Sequence, residues 1–251
     1  MNHPVVSRDE WLVARKALLA KEKEETHLRD AVNAARLALP WVRIEKDYAF
    51  DTPTGRRSLA GLFGGRSQLL VYHFMLGPGW KAGCPGCSFL CDHVDGALPH
   101  LEHHDVSFVA VSRAPLAEIE TYRRRMGWRF PWVSSFSSDF NYDFGVSFTP
   151  EQLASGRIGY NYEDTAPHDD GTESPGMSAF FRDDDGAAFH TYSSYARGIE
   201  QFIGTLMLLD RAPKGRNENG AMSFVRRHDE YETAPAHSCC MQDARANIQP
   251  S

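Results

Sequence analysis

No stretch of this 251-residue sequence is apolar for long enough to span a bilayer. Its opening residues, MNHPVVSRDEWLVARK, also lack the apolar core of a secretory signal. Excess charge is scarce: 27 Lys and Arg stand against 33 Asp and Glu, a net charge of -6. Without a basic face there is little to hold a nucleic-acid backbone. The expectation is a cytoplasmic protein with neither membrane nor nucleic acid among its partners. Cysteine is sparse as well, at five residues. An odd count cannot be fully bridged, and a reducing cytosol disfavours structural disulfides. The cysteines therefore point to catalysis, metal binding or plain burial.

From Ser7 to about Leu37 the sequence reads as a helix, opened by the capping-box pair Ser7 and Glu10. Its charge is dense and its apolar stripe uneven, as expected of an added helix that packs on the domain or on a partner subunit. Pro40 closes it. Trp41–Ile44 and Tyr48–Phe50 suggest short strands, and Gly64-Gly65 reads as a turn, because no Gly-Lys-Ser/Thr follows to make a phosphate loop. The run from Gln68 to Met75 suits a central strand buried on both faces. A helix from Ser88 to about His103, a strand at 105–111 and a helix from Pro115 to Met126 follow. That alternation implies parallel pairing through right-handed crossovers. Phe130–Phe136 is a third strand, residues 137–175 a long polar insert, and Phe180–Tyr192 a hairpin around an acidic turn. A final amphipathic helix spans Ile199 to Asp210, and a frayed tail starts near Thr233.

Between the first strand and helix stands Cys84-Pro85-Gly86-Cys87. At a helix N-terminus, unpaired amide groups stabilise the thiolate of the first cysteine. The second, one turn on, can resolve a mixed disulfide. Lys81 would add positive potential, and Trp80 would cover the pair. Pro131, ahead of a later strand, is expected to be the groove-shaping cis-proline of thioredoxin-like domains, with Trp132 beside it in the substrate groove. A metal is the rival reading, since Cys84, Cys87, Cys91 and His93 are ligand types close in sequence. Two bland readings compete with these: cysteines that merely fill space, and a groove that binds a ligand or partner without catalysis. Arg113, at the C-terminal end of a strand, is either a substrate-carboxylate or thiolate partner or an ordinary surface arginine. His73 lies mid-strand and reads as a satisfied core histidine. Cys239 and Cys240 read as an incidental pair in the tail rather than as resolving thiols.

Several strings resemble the thioredoxin-like family known as domain of unknown function 899. They are Tyr72–Met75, Cys84–Phe89, Val111–Pro115, Arg125–Trp128, Trp132–Ser135, Phe140–Phe144 and His190–Gly198. The resemblance runs over about residues 5 to 232. It implies a thioredoxin-like α/β fold near the peroxiredoxins and thiol oxidoreductases, with a mixed central sheet flanked by helices, an N-terminal helical extension and a long insert before the final hairpin. It carries no settled reaction. The peroxiredoxin pattern Pro-x-x-x-Thr/Ser-x-x-Cys is missing around Pro78, which leaves dithiol exchange as the better expectation. The expected organisation is a helical extension at 1–40, a thioredoxin-like domain at 41–232 and a tail at 233–251. Partners would be a thiol or disulfide substrate, small molecule or protein, with room for a homo-oligomer. No cofactor is required.

Overall fold

The computed structural model describes residues 3–167 and 171–231. Helix α1 spans Arg8–Leu37. Both halves of its capping box form: Ser7 Oγ accepts from Glu10 N at 3.3 Å, and Glu10 accepts from Ser7 N at 2.9 Å. None of its residues is buried. A fully buried Leu or Phe contributes roughly 1.5–3 kcal/mol, and α1 draws on none of that.

The body is an eight-stranded mixed sheet. Its strands are β1 (Val42–Arg43), β2 (Ala49–Thr52), β3 (Gly55–Ser58), β4 (Gln68–His73), β5 (Val106–Ser112), β6 (Trp132–Ser134), and, after β7 (Ile158–Tyr160) and β8 (Glu163–Thr165), β9 (Gly176–Arg182) and β10 (Ala188–Tyr195). The spatial order is β1-β10-β9-β4-β5-β6-β2-β3, while β7 and β8 form a separate hairpin. Strands β4, β5 and β6 run parallel, and β9 lies antiparallel to β4. This is the thioredoxin-like arrangement: βαβ crossovers on one side of β4, the strand that leads to the cysteines, and the closing hairpin on the other.

Burial on both faces explains the apolar runs. On one face Tyr72, Phe74, Phe108, Ala110, Trp132 and Met177 pack with α3 (Pro85–Cys91) and the chain's later segments. On the other, Leu69, Val71, Val109, Val111 and Val133 pack with α2 (Leu59–Leu62) and Phe140. Alternate residues of β4 and β5 thus point to opposite cores.

Three elements differ from the sequence expectation. The helix expected from Ser88 to His103 begins at Pro85 and breaks at Asp92-His93 into α3 and α4 (Val94–His103). The final helix is a 3₁₀ segment, Ala196–Phe202, then α8 (Gly204–Leu209), parted at Ile203, whose extended backbone buries its side chain. The insert contains, before β7 and β8, α6 (Phe140–Asp143) and α7 (Pro150–Ala154); α5 (Leu116–Met126) precedes it and ends at left-handed Gly127. The tail from Thr233, with Cys239 and Cys240, lies outside the described residues. Among the described residues no helix is long and apolar enough to cross a membrane.

Candidate active site: an asymmetric dithiol

Strand β4 ends at His73 and hands the chain to the loop that carries the cysteines. Cys84 N donates to Met75 O at 3.1 Å, folding the loop back against the strand end. Gly83 is buried here, and a Cβ on it would fall 2.4 Å from the Phe74 ring, so only glycine lets the loop lie so close. Pro85 follows in the first turn, where its missing N–H costs nothing. Cys84 is therefore the N-cap of α3. Its carbonyl accepts from Ser88 N at 3.0 Å and Ser88 Oγ at 2.9 Å, and Ser88 Oγ also pairs with Tyr122 Oη at 2.8 Å.

The two thiols, both reduced, are held differently. Cys84 is half-buried and Cys87 is 2% exposed. The Cys87 thiol donates to Cys84, and the N–H groups of Cys87 and Gly86 and the Arg227 charge add to it, so Cys84 falls to about 6 against the opposing cost of burial. Burial, then the neighbouring Cys84, drives Cys87 well above the ordinary thiol value. Met75 N lies 3.5 Å from Cys87 Sγ. The buried Tyr72 hydroxyl makes no well-formed hydrogen bond, but it stands near enough to Cys87 to favour its thiolate. One sulfur is a thiolate near neutral pH and the other a protonated reserve.

Beside the pair lies a cavity of about 270 Å³, lined by Tyr72, Pro175, Ile199, Ile203, Ala221 and Met222 among others. Its far wall comes from the last described segment. Met222, partly buried, packs toward Gly86, and Val225 is buried in the core. Arg227 donates to Gly83 O from Nε at 2.9 Å and from Nη2 at 2.6 Å. His228 pairs with Asp92 at 2.7 Å, and Asp229 and Glu230 hold Arg125. Residues 222–230 thus strap the dithiol loop to α5 and α3.

The other sequence candidates disperse. Trp80 folds back over Gly77, and Lys81 is exposed; the cation that acts on Cys84 is Arg227. Pro131 is corrected: β6 runs parallel to β4, so the residue preceding it lies back from the cysteine end of the sheet, level with the middle of β5, where Ala110 N donates to Pro131 O at 2.9 Å. It is exposed and lines a different cavity, with Thr52 and Arg66. The proline in the dithiol cavity is Pro175, because β9 runs antiparallel and pairs Gly176 with His73 at the end of β4. The described residues contain no cis peptide bond. Trp132 is a core residue, 2% exposed, its Nε1 donating to Ser112 Oγ at 3.0 Å. Arg113 is not a free surface arginine. It donates to Glu173 at 2.8 Å and Tyr142 Oη at 2.6 Å, tying the insert to the end of β5.

Cys91 is fully buried, and burial raises its thiol well above the ordinary value. The break before α4 turns His93 away to Thr205, 2.6 Å from its Nε2. Among the described residues no three metal-capable side chains gather. His73 is buried, its Nε2 paired with Ser178 Oγ at 2.8 Å, and burial lowers it to about 3. Sequence reasoning missed Pro175, Met222 and Arg227. The one available signal was Pro175-Gly176 just before a strand that closes the sheet.

The family model for the bacterial proteins of unknown function DUF899 matches residues 1–231. The chain belongs to the DUF899 family. No curated protein matches it. Among solved structures it is similar to peroxiredoxin Q of Xanthomonas campestris, 13% identical, with 65% of this chain and 90% of that one covered and a TM-score of 0.44. Peroxidoxin BcpB of Mycobacterium tuberculosis gives 14%, 68%, 97% and 0.44. The mitochondrial 2-Cys peroxiredoxin of Plasmodium falciparum gives 11%, 68%, 94% and 0.39.

Proposed function

We propose that this DUF899 protein is a thiol–disulfide oxidoreductase with Cys84 as nucleophile and Cys87 as resolving thiol. The observation that carries this reading is the split between the two sulfurs: a half-buried Cys84 held at about 6, and a fully buried, protonated Cys87 beside it. The Cys84 thiolate attacks one sulfur of a substrate disulfide, forming a mixed disulfide and expelling the other half as a thiolate, which takes a proton from water. Cys87 then loses its proton and attacks Cys84 Sγ, expelling the second half. The substrate gains two electrons and two protons and leaves as two thiols, while Cys84 and Cys87 are left as a disulfide. A second dithiol would reduce that bond and close the cycle. Tyr72, beside Cys87, favours the transient Cys87 thiolate. No cofactor is needed for either exchange.

The lining of the cavity favours a substrate with an apolar group next to its disulfide, whether a small molecule or a protein. Pro175 and Met222 are the residues that would flank it. The test is a pair of variants assayed on a small aromatic disulfide. Cys84→Ser abolishes turnover, and Cys87→Ser accumulates a mixed disulfide that mass spectrometry places on Cys84. Full activity of Cys84→Ser overturns the reading.

A further inference from the structure

Helix α1 is about 45 Å long, from 30 residues at 1.5 Å each, and buries no side chain. Trp11 is 43% exposed, Leu18 51%, Leu28 66% and Val32 48%. A bare amphipathic helix of this kind is marginal in water unless its apolar stripe finds a partner. These four residues belong to one series with alternating steps of three and four: Trp11, Ala14, Leu18, Lys21, Glu25, Leu28, Val32, Ala35. That is the spacing of a coiled-coil seam. Its two charged members lie together at the centre and have opposite signs.

The series is complementary to its own reverse. Turned about Lys23, Trp11 meets Ala35, Ala14 meets Val32, Leu18 meets Leu28 and Lys21 meets Glu25. The largest side chain falls opposite a small one, and the charges pair. Other alignments fail. A parallel pair sets Lys21 against Lys21 and Glu25 against Glu25. An antiparallel pair slipped by seven residues buries Lys21 against Val32 or Leu18 and Glu25 against Leu28 or Ala14. Polar seam residues of this sort fix orientation and register at some cost in stability. Along one flank, Arg15 already reaches Glu22 of its own helix at 2.8 Å.

We propose that α1 is a dimerisation element that pairs antiparallel with α1 of a second copy of this chain, its register set by two Lys21–Glu25 contacts. The seam runs from Trp11 to Ala35, about 36 Å. This pairing is independent of the dithiol chemistry.

The test is sedimentation equilibrium on the full chain. The wild type is expected to be a dimer. Lys21→Glu and Glu25→Lys each place like charges in the seam and weaken it by about tenfold or more. The double exchange, Lys21→Glu with Glu25→Lys, restores it. Both positions are exposed, so circular dichroism and Cys84 alkylation stay as in the wild type. A wild type that is monomeric at about 100 µM, a dimer that neither single exchange weakens, or a double exchange without rescue each overturns the proposal. Mixed Leu18→Cys and Leu28→Cys chains, oxidised and mapped by mass, give the independent reading. An 18–28 bond between copies supports the register, and a bond joining residue 18 to residue 18 overturns it.

Discussion

Helix α1 follows nearly every local rule for a helix and buries none of its side chains, whereas residues 211–231 form only one 3₁₀ turn, His228–Glu230, and seal the dithiol. The first has a capping box, acidic residues in its opening turn and thirty continuous helical residues. The second holds Asn217 and Met222 in left-handed backbone, a conformation that costs non-glycine residues and persists only where contacts impose it. Local regularity and tertiary importance are separate properties. Periodicity reports the first, while the second depends on which groups meet across the fold.

Breaking the strap produces the largest expected effect. Val225→Asp would put an unpaired carboxylate into the core cluster that also holds Phe89 and Leu90, and about 3 kcal/mol or more of stability is lost. Urea titration measures it, and a change under about 0.5 kcal/mol would mean that the segment is not anchored there.

Arg227→Gln comes next. It removes the paired donation to Gly83 O and the cation near Cys84, a loss of about 1–2 kcal/mol. It also moves the pH midpoint of Cys84 alkylation upward from about 6. An unchanged midpoint would leave Arg227 a structural clamp only.

The sign of the pH dependence follows from the same sulfur. Cys84 is depressed on folding from 9.0 to about 6, so between those values the unfolded chain binds the extra proton. Stability of the reduced protein should therefore be fully gained by about pH 9 and fall as pH drops through about 6. Cys84→Ser flattens this slope, as urea midpoints taken across the range would show.

The smallest effect belongs to α1. Ser7→Ala removes the cap and costs roughly 1 kcal/mol of local helix stability, read by hydrogen exchange in α1. The Cys84 alkylation midpoint stays put. If it moved, the contrast between the two segments would be wrong.

Much of the fold was legible because its signals are local. The continuous apolar run of β4 reports burial on both faces, and the Ser7–Glu10 spacing reports the start of α1. The placement of Cys84 at a helix N-terminus was legible for the same reason. The groove proline was not. Pro131 and Pro175 both precede strands, and only strand direction, a long-range property, decides which one sits by the cysteines. Arg113 looked available because its partner Glu173 lies sixty residues away in the insert. Arg227 is 144 residues from the carbonyl it holds, so no local pattern marks it.

The central claim is that Cys84 and Cys87 form one reversible redox couple. The direct measurement is equilibration of the purified protein in thiol–disulfide buffers, with mass mapping of the cysteines that pair. A Cys84–Cys87 bond is expected to form and break reversibly at a potential of about -120 to -270 mV. Cysteines that stay unpaired at the oxidising end, or a Cys84 that pairs elsewhere while Cys87 remains a thiol, would contradict it.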